Sequence, residues 1–233
     1  MKFKSSTLAF AALALQAASF DVASVKPANP NAVGSNTDSD PGRITMQNVT
    51  LKRCIMRAYE VPDIQITGGP KWLDTSRYDI EARAGYAAQY AELNQMLQTL
   101  LAERFHLKLH HETRSLQGYA IVIAKDGLKM KPSAPGTRGH TNDNPGSVVS
   151  TATSISRLAL KLSVLLKVPV VDETGVSGSF DFALHWIPDE AADPTAGPSL
   201  FTAIQEQLGL RLEGRKVPTD MLVVDSAEPP SAN

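Results

Sequence analysis

Cysteine is nearly missing from this chain. Cys54 stands alone among 233 residues, so no intramolecular disulfide can form and thiolate metal clusters are excluded. Aromatics are sparse at 6%, with two tryptophans. Neither sign of charge is in excess: 23 Lys and Arg stand against 24 Asp and Glu, a formal charge of −1. A nucleic-acid surface needs clustered positive charge to displace phosphate counterions, so no nucleic-acid partner is expected. Reaction motifs are lacking too. There is no His-Glu-x-x-His helix, no Gly-x-Ser-x-Gly elbow and no phosphate loop ending in Gly-Lys-Ser/Thr.

What is present begins with an export signature. "MKFKSSTLAFAALALQAAS" sets Lys2 and Lys4 before an apolar stretch from Leu8 to Leu15, then the small residues Ala17, Ala18 and Ser19. This reads as a signal peptide over residues 1–18, a retained anchor being the alternative. The apolar stretch is far shorter than the ~20 residues that span a bilayer. The mature protein is expected to be exported, periplasmic or extracellular, and not membrane-spanning. At 42% hydrophobic residues, the chain can build real cores.

Periodicity then alternates between strand and helix. "FDVASVKP" and "RITMQNV" read as strands around a polar loop, 29–42. Leu51, Cys54, Ile55, Ala58 and Tyr59 mark one face of a helix capped by Asn48 or Thr50 and ended by Pro62. "IQITG" and "RYDIEARA" are strands, and Leu93, Met96, Leu97, Leu100 and Leu101 mark a second helix. "FHLKLHHE" and "GYAIVIAK" read as a hairpin through "TRSLQ". From Asp126 to Gly146 the chain is dense in Pro, Gly and Asn, a linker or long loop.

The same order restarts after it. "SVVSTAT" is a strand, and Ile155, Leu158, Ala159, Leu162 and Leu166 line a helix ended by Pro169. Two strands, a helix from about Ser199, and the strands "LRLEGRKV" and "TDMLVVDSA" follow. Val61-Pro62 and Thr67-Gly68 recur as Val168-Pro169 and Thr174-Gly175; Tyr78-Asp79-Ile80 recurs as Phe180-Asp181-Phe182, and "ERFHLKL" as "EQLGLRL". The expected fold is α+β, two tandem copies of a small β-α-β-β-α-β-β unit: residues 19–126 and 147–233, joined by a linker at 127–146.

"RITMQNVTLKRCIMRAYEVPDIQI" resembles the opening of the short N-terminal domain of secretins and TonB-dependent receptors. Through "FDVASVKP", "GGPKWLDTSRYDIEA", "LLAERFHLKLHHETR", "VVDETGVSGSFDF" and "EQLGLRLEGRKVPTDMLVVDSAEPPSAN" the chain resembles an uncharacterised, heavily duplicated family of exported soil-bacterial proteins. Some of those relatives carry a similar module on a membrane-bound sensor peptidase, which implies binding or sensing. The secretin-like resemblance implies protein contacts at the envelope.

Candidate chemistry is thin. "FHLKLHH" places His106 and His110 on one strand face roughly 13 Å apart, too far to share an ion without help, with His111 on the other. No metal or cofactor is expected. Asp172 and Glu173 are adjacent and point apart in a strand, so a turn-bonding Asp172 outweighs an acid/base pair. Asp79 and Asp181 hold matching positions and read as structural. Asn48-Val-Thr50 fits capping better than glycosylation. No catalytic residue is assigned. Trp72, with Lys71 beside it in "GGPKW", and Trp186 either cap a core edge or bind a ligand or partner. The expected function is a non-catalytic binding or adaptor module contacting a protein or envelope component. The alternatives are a hydrolase using Asp172, Glu173 or the histidines between the halves, and a small-ligand or glycan sensor.

Overall fold

The structure, a computed structural model, describes residues 18–188 and 197–230. The export signature up to residue 17, and residues 189–196, lie outside the described residues. Among the described residues, twelve strands form three four-stranded sheets that pack with four α-helices. No helix among them is long and apolar enough to cross a membrane. The chain divides into two compact units.

The first unit contains residues up to Tyr59, Trp72–Leu107, and those from Glu228 on. Its antiparallel sheet has the order β1 (Val22–Pro27), β5 (Arg77–Arg83), β3 (Arg43–Thr50), β2 (Asn36–Asp40). Alternation buries one face: Ile44 and Met46 of β3 lie against Tyr78, Ile80 and Ala82 of β5. α1 (Leu51–Tyr59) buries Leu51, Cys54, Ile55 and Ala58, the spacing read from the sequence. Thr50 caps it, Oγ1 accepting the Arg53 N–H at 3.3 Å. α2 (Tyr90–Phe105) packs on α1 and is tied to it by Gln98 Nε2, which donates to the Ala58 carbonyl at 2.8 Å. It ends where His106 turns left-handed.

The second unit contains Glu60–Lys71 and Lys108–Ala227, and holds the other two sheets. One is built on a ribbon of two long strands, β6 (Lys108–Ile123) and β12 (Leu210–Ser226), paired antiparallel from Leu210 opposite Ile123 to Ser226 opposite Lys108. Two short parallel strands flank it: β4 (Ile66–Gly68) beside β12, and β10 (Val170–Asp172) beside β6. The expected hairpin through "TRSLQ" therefore does not form, and "LRLEGRKV" and "TDMLVVDSA", read as two strands, are one. "TRSLQ" contains no Gly, Pro, Asn or Asp, and half-buried Arg114 and Leu116 continue the alternation straight through it. The third sheet has the order β7 (Lys131–Pro132), β11 (Phe180–His185), β9 (Ser147–Thr153), β8 (His140–Asn144). Two of its strands thus lie in the stretch read as a linker, and β2 lies in one read as a loop.

α3 (Ile155–Leu166) follows β9, with Ser154 Oγ accepting the Arg157 N–H at 3.2 Å. α4 (Leu200–Ala203) continues as a wider π-type turn to Leu208 and ends at Gly209, φ +68°. A Cβ on Gly209 would sit 1.9 Å from the Gly127 carbonyl oxygen, so only glycine fits. The core of this unit joins Ile155, Leu158 and Leu162 of α3 to Leu184 of β11 and Ile121 of β6.

Candidate functional site

The residues singled out in the sequence are mostly spoken for structurally. Trp72 stacks on Phe105 with ring centroids 6.4 Å apart and meets Tyr78 edge-on, while Tyr78 meets Phe105 edge-on at 5.0 Å. Lys71 is exposed at the start of the same short turn, and Trp186 packs half-buried on the core of the second unit. Asp172 Oδ1 accepts both the backbone N–H and the hydroxyl of Thr174, the turn bond expected of it. Glu173 pairs with Arg215.

The histidines do not converge. His106 is not on the strand at all but in the left-handed position that ends α2. His110 and His111 sit on β6 beside different partners: His110 Nδ1 is 2.9 Å from Asp225 Oδ1, and His111 Nδ1 is 2.8 Å from Asp220 Oδ2. Among the described residues no group of three His, Cys, Asp or Glu could hold a metal ion. Burial pushes the Cys54 thiol up to about 12, so it stays protonated and unreactive in the core.

A cavity of about 270 Å³ opens elsewhere in the second unit, between α3 and the third sheet. Its floor is set by strand register. Thr141 of β8, Ser150 of β9 and Phe182 of β11 lie at one level of the sheet, because Thr141 pairs with Ser150 and Ser150 with Phe182. Ser150 is buried and its Oγ lies 2.7 Å from Thr141 Oγ1. α3 supplies the wall with Leu158, Leu160 and Val164, and Val148 completes it below. At the rim, Lys161 of α3 is ion-paired with Asp143 of β8. Arg157 stands one helical turn away, its guanidinium 3.1 Å from Glu60 Oε1.

The first sheet explains why there is space here. At the matching level, counted from the irregularity in β3, it carries Thr37, Met46 and Ile80 in the same order. Met46 and Ile80 are fully buried. A thioether side chain fills its layer, whereas Ser150 stops at a hydroxyl bonded sideways to Thr141.

A family model described as a protein of unknown function, DUF3738, matches residues 52–227, more than half of the chain. The chain belongs to the DUF3738 family. No curated protein and no solved structure matches it. The match opens within α1 and closes just past β12, so in this DUF3738 protein it takes in every residue that lines the cavity.

Chemically the cavity is an apolar space with one hydroxyl pair on its floor. A nucleophilic serine needs a neighbouring base, and the partner of Ser150 is another hydroxyl. An apolar seat with a few fixed polar groups is instead the usual composition of a ligand site. Sequence reading missed it because its signature is a small residue where bulk belongs. Laying "RITMQNVT" over "SVVSTAT" residue by residue sets Ser150 against Met46.

Proposed function

We propose that this DUF3738 protein is an exported, non-catalytic binding module made from two copies of one α+β unit, with its ligand seat in the second copy. Duplication is supported by strand order. The first and third sheets follow the same path, with the fourth strand between the first and third and the second at the edge. Each also has a left-handed residue where β3 or β9 slips by one against its neighbour, Asn48 at φ +53° and Ala152 at φ +47°. In each the freed N–H donates to the aspartate of the repeated motif, Asn48 to Asp79 at 2.8 Å and Ala152 to Asp181 at 2.9 Å.

The observation that carries the binding role is the exchange of Met46 for Ser150 at one level of two otherwise parallel designs. Envelope or protein contact is a second reading, favoured by β8: it lies at the sheet edge with every residue exposed, leaving one row of backbone groups open to an added strand.

Ligand-observed NMR with a library of small organic fragments tests the binding role. Fragments should show saturable contact with the wild-type protein, and Ser150→Met, which plugs the seat with the residue of the other copy, should abolish it without lowering Tm. Equal contact with both proteins, or none with either, would remove the reading.

A further inference from the structure

We infer that the cavity beside Ser150 takes a free α-amino acid with an apolar side chain, of leucine to phenylalanine size. The inference rests on the binding role proposed above and adds the ligand's chemical class.

Size comes first. At about 270 Å³ the space falls just below the ~300–1,000 Å³ of sites for drug-sized ligands, which leaves out lipids and oligosaccharides. The seat is apolar, with Phe182 on the floor and Val148, Leu158, Leu160 and Val164 around it. A branched or aromatic side chain gains most by entering it, at roughly 25 cal/mol per Å² of apolar surface removed from water.

Charge decides the rest. The rim presents both signs in contact: the Lys161 ammonium is ion-paired with the Asp143 carboxylate, and one turn along α3 the Arg157 guanidinium is paired with Glu60. A simple carboxylate ligand would meet Lys161 but be pressed against Asp143. A simple amine would meet Asp143 but be pressed against Lys161. Like charges brought together in a partly dehydrated rim repel, and a charge left there without a partner is costly. A ligand carrying an ammonium and a carboxylate on one carbon escapes both penalties. Its ammonium replaces Lys161 beside Asp143, and its carboxylate replaces Asp143 beside Lys161, while Arg157 keeps its pair with Glu60. One ion pair becomes two, and no charge is stranded.

The hydroxyl pair on the floor adds a second selection. Thr141 and Ser150 satisfy each other, so a hydrocarbon side chain above them leaves no polar group unpaired.

Isothermal titration against the full mature chain tests this with four probes: L-leucine, L-phenylalanine, 4-methylpentanoate, which lacks the ammonium, and 3-methylbutylamine, which lacks the carboxylate. The two amino acids should bind, and each truncated analogue at least tenfold more weakly. Asp143→Asn should weaken leucine while strengthening 4-methylpentanoate, a crossed effect that a merely structural loss cannot produce. Ser150→Met should abolish all binding, with an unchanged circular dichroism spectrum showing that the variant folds. Binding of 4-methylpentanoate or neutral fragments as strong as that of leucine would overturn the amino-acid class and leave the binding role standing. Silence from every probe, together with fragment contact that Ser150→Met leaves intact, would overturn both.

Discussion

Asn48 and Ala152 occupy the left-handed region of backbone space, where a Cβ crowds the carbonyl and costs roughly 1–2 kcal/mol. Each is held there by an aspartate in the neighbouring strand. At Asp181 the Ser133 hydroxyl donates to Oδ1 and the Ala152 N–H does so at 2.9 Å. The hydroxyl first and the N–H second hold this carboxyl below the ordinary 3.8. A carboxylate depressed on folding adds stability that is complete above the ordinary range and is lost as pH falls through its folded value. Asp181→Asn should therefore lower Tm at neutral pH, and the gap from wild type should close below about pH 4, the ordinary range of a carboxylate. A pH series of thermal melts reads this, and a constant gap would contradict it. The matching placement of Asp79 and Asp181 is plain in the sequence. Their task is not, because the residue each one steadies stands in a different strand and carries no fixed side-chain type.

At the scale of the element, β10 shows how three residues persist as a strand. Ser163, buried in α3, accepts the Val170 N–H at 2.9 Å and donates to the Ala159 carbonyl at 2.9 Å. It pins the start of β10 to the helix before it. Ser163→Ala strands the Val170 N–H and should cost about 1–3 kcal/mol in urea unfolding. Ser156→Ala, on the exposed side of the same helix, should stay within about 0.5 kcal/mol. The helices were legible in the sequence, since Leu51, Cys54, Ile55 and Ala58, or Ile155, Leu158, Ala159 and Leu162, repeat at the period of a half-buried cylinder. β2 and β8 were not. Their residues, "NTDSD" and "HTNDN", are almost wholly exposed at sheet edges, so no apolar beat marks them.

For the molecule as a whole, the ribbon sheet interleaves the halves of the chain. β4 and β6 precede residue 126, β10 and β12 follow residue 147, and each short strand pairs with the long strand of the opposite half. Residues 19–126 and 127–233 made separately should each fail to unfold cooperatively, and mixing them should restore a sigmoidal urea transition. Cooperative unfolding of either piece alone would refute this. The sequence hid the arrangement because β6 reads locally as a hairpin and β12 as two separate strands, and their pairing with each other runs through both supposed breaks.

The same ribbon has a consequence in time. Synthesis at ~5–20 residues per second leaves β6 waiting on the order of ten seconds for its neighbour. Over that interval its flank is open to any passing strand. His110, Glu112 and Arg114, exposed or half-exposed along β6, are polar or charged residues of the kind that discourage such pairing.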